Sequence, residues 1–296
     1  MSHRLSVEPF GIVAPVTIEN TTLEKWVCGQ DDRSVLPKAV LEKKESCFVS
    51  YESLEEAMEL IKEDDGTRHL PLMQNVEAIA YGGQMDVVGD MFAIRTCKYK
   101  SLQELPIWDR KLLDTPEIKV LLQYVENHSQ ESIVLDVEGP FTILAGLMGM
   151  ENILRAYRKE RNLLLKVLDK ITEELTLYVR DAVSKGVDVI SLAEPQGDLA
   201  LVGSKVYKEL SGKYLVKCMR GIEETLKKAI VHVCGRTSTS LIKADLVLEK
   251  KFRVEEKEYL EILMELSKDC KTKFVGQGCM RQKHLVVPII TKLELV

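Results

Sequence analysis

Apolar and polar residues alternate along this chain with two periods, one typical of strands and one typical of helices. From residue 115 onward, short apolar runs are separated by longer segments in which apolar positions recur every three or four residues. Strands are predicted at residues 133–137, 187–192, 229–233, 245–248 and 273–275. Helices are predicted to start at Thr115 and to cover residues 163–183, 206–227, 237–243 and 255–267. Strands that alternate with helices indicate parallel βαβ units.

The first part of the chain has a weaker pattern. Residues 1–50 mix polar and apolar positions around several prolines, and we interpret them as an N-terminal extension that packs against the main body. Residues 51–64 have the apolar spacing of a helix, and extended segments are predicted at 70–73 and 92–99. The predicted organisation is therefore an extension, residues 1–50, followed by one domain over residues 51–296.

Seven or eight candidate strands predict the fold of this domain. The simplest closure of so many βα units is a (β/α)8 TIM barrel, so the expected class is an α/β barrel with an N-terminal extension. The alternative is a doubly wound open sheet, which would favour a glycine-rich phosphate turn after an early strand. The sequence contains no such turn. A last extended segment is predicted at residues 286–295.

Composition excludes several classes of protein. The 296 residues are 45% hydrophobic and 29% charged, with a net charge of −5, so neither nucleic acid nor a membrane is expected as a partner. No run of 18 apolar residues exists, and residues 1–16 lack the pattern of a signal peptide. Seven cysteines are an odd and scattered set, unlike a secreted disulfide framework. A reducing cytoplasm is the expected location.

His232 and Cys234 close one predicted strand and form the main candidate site. Side chains alternate along a strand, so these two point to the same side. Cys279, which follows the predicted strand at 273–275, would be brought back to the same rim two strands later. One imidazole and two thiolates are the ligand set of a catalytic zinc with one open position. The alternative is that both cysteines and the histidine are buried packing residues.

Other polar side chains follow predicted strands at the same rim, where a barrel places its active site. Gln74, Asn75 and Asp136 are candidates for cofactor binding. Glu138 and Glu194 are candidates for catalysis, and the alternative is that they cap the helices that follow.

Three segments carry a resemblance to a known family. They are EGPFT at 138–142, GVDVIS at 186–191 followed by AEP at 193–195, and HVCG at 232–235. They resemble the uroporphyrinogen decarboxylase superfamily, and within it the zinc-dependent, corrinoid-linked branch that includes methylcobamide:coenzyme M methyltransferases. The resemblance covers about residues 50–296. It implies a TIM barrel and a zinc ion bound by His232, Cys234 and Cys279.

The resemblance also implies a function. We expect a zinc-dependent methyltransferase that moves a methyl group between a small thiol or methylated substrate and methylcobalamin, a corrinoid supplied by a partner protein. An arginine-rich segment that grips porphyrinogen carboxylates in the decarboxylases has no match in residues 1–50. Two alternatives are a metal-free lyase of the decarboxylase type and a non-catalytic barrel that binds a corrinoid or tetrapyrrole.

Overall fold

The computed structural model describes residues 67–70, 76–88 and 91–296. The predicted N-terminal extension, the predicted helix at 51–64, and the candidates Gln74 and Asn75 lie outside these residues. Their assignments stay predictions.

Nine strands occur in the described residues. They are β1 (Arg68–Leu70), β2 (Gln84–Val88), β3 (Met91–Thr96), β4 (Ile133–Glu138), β5 (Val189–Ala193), β6 (Ile230–Cys234), β7 (Val247–Glu258), β8 (Phe274–Gly278) and β9 (Val286–Leu295). Strands β2 and β3 form a separate antiparallel pair. The other seven form one sheet in the order β1-β4-β5-β6-β8-β9-β7. Strands β1, β4, β5, β6 and β8 are parallel, as the βαβ pattern predicts.

The described helices connect these strands. They are α1 (Val76–Ala80), α2 (Pro116–Asn127), α3 (Pro140–Met148), α4 (Met150–Lys159), α5 (Arg161–Lys185), α6 (Leu199–Val206), α7 (Gly212–Glu223), α8 (Gly235–Lys243) and α9 (Tyr259–Asp269). None of the helices in the described ranges is both long and apolar enough to cross a bilayer.

The parallel strands and their helices give a TIM-barrel-like α/β fold, but the seven described strands of the main sheet do not close into a ring. One face of the sheet packs in a large apolar core with α2, α3, α5 and α7. On the other face, Val134, Val189 and Ile230 pack against apolar side chains of α9. A closed barrel fills that inner face with side chains of the strands themselves. Here a helix takes that place.

The end of the sheet differs most from the sequence-based prediction. Strand β7 runs to Glu258, whereas a helix was predicted from residue 255, and α9 begins at Tyr259. Strand β7 pairs antiparallel with β9 at the sheet edge, and β9 in turn pairs antiparallel with β8. The extended pairing with β9 over residues 286–295 outweighs the local helical pattern of residues 255–258. As a result, β6 and β8 are direct neighbours.

Two helix ends follow the sequence signals closely. Thr115 occupies the N-cap position of α2 with Pro116 after it, although its hydroxyl donates to the Leu112 carbonyl and not to the helix. Gly186 ends α5 with a φ of 123°, a conformation that favours glycine.

Candidate functional site

Strand β6 places His232 and Cys234 at the carboxyl edge of the parallel strands. His232 is 1% exposed, and Cys234, the last residue of the strand, is half-buried. Parallel α/β proteins bind their ligands at this edge because the strands stop there and the connections to the next helices open. The placement of this pair therefore agrees with the sequence-based prediction.

Cys279 follows β8, the strand next to β6, and not a strand two places away as expected. Cys234 is the register partner of Gly278, so Cys279 lies one residue beyond the position opposite Cys234. Cys279 is 8% exposed. The two cysteines thus end neighbouring strands, which are about 4.8 Å apart in parallel sheets.

An extra residue in β8 shifts Cys279 along the strand direction relative to Cys234. His232 pairs with Val275 and Cys234 with Gly278, so one residue of β6 faces two of β8. Gln277, in the extra stretch, has a φ of 61°, a left-handed conformation that is uncommon outside glycine. Its backbone N–H donates to Ser238 Oγ at 2.9 Å and its side chain donates to Thr239 Oγ1 at 3.0 Å. This bulge, held by α8, redirects the chain just before Cys279.

Tyr259, the first residue of α9, contacts the candidate ligand His232. Its hydroxyl lies 2.8 Å from Nδ1 of His232, and the two rings meet edge to face with centroids 5.5 Å apart. Burial, followed by the charges of Cys279 and Cys234, raises the pKa of the Tyr259 hydroxyl, so both cysteines lie in its electrostatic surroundings. A Cβ atom on Gly278 would come within 2.4 Å of Tyr259 Cζ. Only glycine at this position lets the tyrosine ring approach β8.

The three candidate ligands are near one another but do not form a finished ligand set. Within the described ranges, no three His, Cys, Asp or Glu side chains are grouped at metal-binding spacing. The donor chemistry fits zinc: one nitrogen and two sulfurs are typical of catalytic sites. The Tyr259 contact to Nδ1 also fits, because a histidine that binds zinc through Nε2 engages its other nitrogen with an oxygen partner.

Asp136, a candidate for cofactor binding, shares a row across the sheet with His232. Asp136 is the register partner of Ser191, which is the partner of His232. Its Oδ2 atom lies 3.0 Å from Nε2 of His69. Burial acts to raise the pKa of Asp136, but the charge and close approach of His69 and the polar side chain of Ser191 outweigh it, so the pKa lies below its ordinary value. Asp136 is therefore a carboxylate at neutral pH.

Glu194 caps a helix. One carboxylate oxygen accepts a hydrogen bond from the Phe141 backbone N–H at 3.1 Å, and the other accepts from the backbone N–H and the hydroxyl of Thr142. These groups open α3, so Glu194 caps the helix after the neighbouring strand β4. Burial raises the pKa of Glu194 to about 7. Its predicted catalytic role stays a prediction, and the contacts themselves are those of the alternative, a helix cap.

Glu138 ends β4 and is accompanied by a carboxyl that was not predicted from the sequence. Glu77, on α1, is 1% exposed, and the backbone groups of Glu77 and Glu138 act to lower the pKa of its carboxyl. Burial raises the pKa of Glu77 to about 8. Burial, and then the charges of Glu77, Glu194 and Asp136, raise the pKa of Glu138 well above its ordinary value. Catalysis by Glu138 stays a prediction.

This chain is similar to proteins of one known family. The model of the family described as Uroporphyrinogen decarboxylase (URO-D) matches residues 94–272, more than half of the chain. Two curated relatives are methylcobamide:CoM methyltransferases. MtaA of Methanosarcina barkeri is 26% identical over 109 residues, 37% of this chain and 31% of its own length. MtbA of Methanosarcina mazei is 24% identical over 147 residues, 48% of this chain and 43% of its own length.

A solved structure supports the fold. A methyltransferase from Methanosarcina mazei superposes with a TM-score of 0.54 at 19% identity, covering 70% of this chain and 64% of that one. At this identity the likeness concerns the fold alone. The chain matches less than half the length of the two curated relatives.

Proposed function

Because the chain belongs to the uroporphyrinogen decarboxylase family, and its curated relatives are methylcobamide:CoM methyltransferases, we propose that it is a zinc-dependent methyltransferase. It moves a methyl group between a small thiol or methylated substrate and the cobalt of methylcobalamin, a corrinoid supplied by a partner protein. The proposed ligands of zinc are His232, Cys234 and Cys279. The observation that carries this proposal is the position of the two cysteines at the ends of neighbouring strands, with His232 beside them.

Zinc held by these residues would supply a Lewis acid that lowers the pKa of a substrate thiol or polarises the leaving heteroatom of a methylated substrate. Cys234 and Cys279 contribute as thiolates, whose two negative charges balance those of a divalent cation and keep a neighbouring substrate thiolate nucleophilic. His232 contributes Nε2, because Tyr259 engages Nδ1 and thereby fixes the ring orientation. Burial of His232 and Cys279 keeps bulk water from the donor atoms.

The remaining site residues have proposed supporting roles. Asp136 would bind the cofactor at the carboxyl edge of the sheet, and the same role is proposed for Gln74 and Asn75, which lie outside the described residues. Glu138 would receive the proton that a thiol loses, since its raised pKa makes its carboxylate a better base than an ordinary glutamate. Glu194 would act by fixing the start of α3, which lies next to Glu138 in the chain.

Decarboxylation of a porphyrinogen fits these residues poorly. Such a substrate carries several carboxylates and requires convergent cations. The described carboxyl edge instead gathers Glu77, Asp136, Glu138 and Glu194, which influence one another electrostatically. An edge lined by carboxyls disfavours a polyanionic ligand, because each carboxyl that ionises repels it.

Metal analysis combined with an activity assay tests the proposal. The purified protein is expected to bind zinc in a one-to-one ratio, and Cys234→Ser, Cys279→Ser and His232→Ala variants are expected to lose it. Cys270→Ser is the matched control, because Cys270 is exposed and ends α9 away from the ligands. The zinc-loaded protein with methylcobalamin and a panel of thiols should methylate at least one thiol, followed by the cobalt absorbance spectrum. Wild-type protein that binds no zinc would refute the proposal.

A further inference from the structure

A cavity opens at the amino edge of the parallel strands, at the end of the sheet opposite the candidate metal site. Its volume is about 540 Å³, within the range of about 300–1,000 Å³ that is typical of small-molecule sites. It lies between the end of α7, the loop before β8 and the end of β9. Strand β8 has five residues that each rise by about 3.3 Å, so Cys279 lies roughly 16 Å from this edge. The cavity is therefore separate from the site proposed for methyl transfer.

Most of the charged side chains that line the cavity are cations. In the described part of the chain, the charged lining residues are Arg220, Lys271, Lys273, Lys292, Glu223 and Glu294. The whole chain has a net charge of −5, so this concave surface has the opposite sign from the protein as a whole. Charges of one sign gathered in a cleft raise the local concentration of ligands of the other sign. The cavity is therefore suited to an anion.

The contacts of the two half-buried lysines do not cancel their positive charge. Lys273 donates a hydrogen bond to the backbone carbonyl of Leu226, which carries no net charge. Lys292, whose side chain is 24% exposed, lies 3.5 Å from Glu294. The same carboxylate pairs at 2.6 Å with Lys250, so two ammonium groups share one acid. Cations that are partly withdrawn from water and share a counter-charge are stabilised by a further anion.

The two outer cations add charge at the rim of the cavity. Lys271 is 82% exposed and lies 3.7 Å from Asp269, and an exposed ion pair of this kind contributes little. Arg220 is also exposed, and one of its N–H groups donates to the backbone oxygen of Val296. A guanidinium has five N–H donors, so this bond leaves others for a ligand. Both side chains can therefore turn toward an anion in the cavity.

The paired strands β8 and β9 give the cavity a firm base. Phe274 and Leu293 line it and are each 1% exposed. Lys292 is the register partner of Val275, and Lys273 directly precedes the first residue of β8, so the backbones of both lysines are held by the sheet. Ammonium groups on a fixed frame suit phosphate, because each is a compact charge with three donors for its oxygens. Several such groups favour a ligand with several negative charges over a single carboxylate.

We propose that this cavity binds the diphosphate group, or a similar polyanionic phosphate group, of a small molecule. Lys273 and Lys292 bind the phosphate oxygens at the base of the cavity, and Lys271 and Arg220 contribute positive charge at the rim. The inference goes beyond the proposed function and does not depend on it, because the cavity shares no lining residue with the candidate metal site. A ligand bound here leaves the carboxyl edge of the sheet open to the methyl-transfer substrates.

Calorimetric titration of the full chain with inorganic pyrophosphate tests this site. Pyrophosphate should bind in a one-to-one ratio and about tenfold or more tighter than acetate at equal ionic strength, because it accepts several charged hydrogen bonds in place of one. The affinity should fall as salt is added, since the attraction is ionic. Pyrophosphate that binds the wild type no tighter than acetate does would overturn the inference, whether or not any variant folds.

Three substitutions locate the bound pyrophosphate. Lys273→Gln and Lys292→Gln should each reduce the affinity by about tenfold, because each removes a charged donor from the base of the cavity. Lys271→Gln should reduce it less, and this change at an exposed side chain does not endanger the fold. Lys119→Gln is the matched control, because Lys119 is exposed on α2 and does not line the cavity. An affinity that is the same in all four variants would contradict the proposal.

Cys234→Ser separates this site from the candidate metal site. Pyrophosphate also binds zinc ions, so heat that came from the proposed metal would be lost in this variant. Pyrophosphate affinity equal to that of the wild type supports a separate anion site at the amino edge of the sheet. Loss of binding in Cys234→Ser together with normal binding in Lys273→Gln and Lys292→Gln would overturn the inference.

Discussion

The hydroxyl of Tyr259 lies 2.8 Å from Nδ1 of His232, across the junction between α9 and the sheet. Tyr259 is the first residue of α9, and His232 lies within β6. The helix that covers the inner face of the sheet therefore also orients the imidazole. This contact links the unusual position of α9 to the candidate metal site.

Replacing Tyr259 by phenylalanine should weaken zinc binding while the fold is retained. The change removes the oxygen that holds His232 Nδ1 and leaves the aromatic packing. Loss of such a partner typically reduces metal affinity by about 10–100-fold. Competition with a chromophoric chelator would measure the zinc affinity. Tyr214→Phe is the control, because that hydroxyl bonds the Leu165 carbonyl at 3.2 Å, away from the ligands. Equal affinity in both variants would assign Tyr259 to packing alone.

Replacing Glu194 by alanine should lower the free energy of unfolding. The variant leaves the backbone N–H groups of Phe141 and Thr142 without their acceptor at the start of α3. Each buried group that loses its partner costs about 1–3 kcal/mol, so a loss in that range or above is expected in urea unfolding.

Glu151→Ala provides the comparison for this helix-cap prediction, since the carboxylate of Glu151 is mostly exposed and pairs with Arg155 within one helix. Its effect should be within about 0.5 kcal/mol. A Glu194→Ala variant as stable as Glu151→Ala would show that the cap is dispensable.

Stability should fall as pH rises because of Glu77. Its pKa is raised from 4.5 to about 8 in the folded protein, chiefly by burial. Below pH 4.5 the group is protonated in both folded and unfolded chains and has no effect. Between pH 4.5 and about 8, the unfolded chain ionises and the folded chain stays protonated, so the folded state loses stability. One such group contributes a slope of about 1.4 kcal/mol per pH unit.

Urea unfolding of the wild type and Glu77→Gln from pH 5 to pH 9 would measure this slope. The wild type should lose stability relative to the variant up to about pH 8, after which the difference should stay constant. Subtracting the variant removes the contributions of groups that do not respond to Glu77. The Glu77 charge acts on Glu138 and Tyr178, so their altered titration is part of the measured difference. Parallel curves for the two proteins would mean that Glu77 is not held in its protonated form.

Much of the parallel core could be predicted from the sequence, since its signals are local. The strand that ends in His232 and Cys234, the strand before Cys279 and the end of α5 at Gly186 all follow from apolar runs and a terminating residue. Two buried residues that interact with candidate site residues were not predicted, because no local sequence pattern marks them. Tyr259 reads as an ordinary apolar helix residue, and Glu77 as an exposed charge, because their roles depend on distant partners.

The strand order at the end of the described sheet could not be predicted for the same reason. Helical spacing at residues 255–258 competes with pairing to β9, and a single sequence does not reveal which strand will pair with which. The bulge at Gln277 is likewise set by its contacts with α8. Counting strands therefore placed the two cysteines two strands apart, whereas they end neighbouring strands; the TIM-barrel-like α/β fold itself is confirmed.

Because β6 and β8 are neighbouring strands, the segment between Cys234 and Cys279 can vary in length. The chain between Cys234 and Cys279 leaves the end of β6 and returns to the end of β8. The lengths of β7 and α9 therefore do not set the distance between the two sulfur atoms. Lengthening β7 at Glu255 and Glu256, which are exposed and lie in the register shift between Arg253 and Lys257, would spare the thiol pair. Laboratory insertions of a reporter or purification tag are best tolerated there.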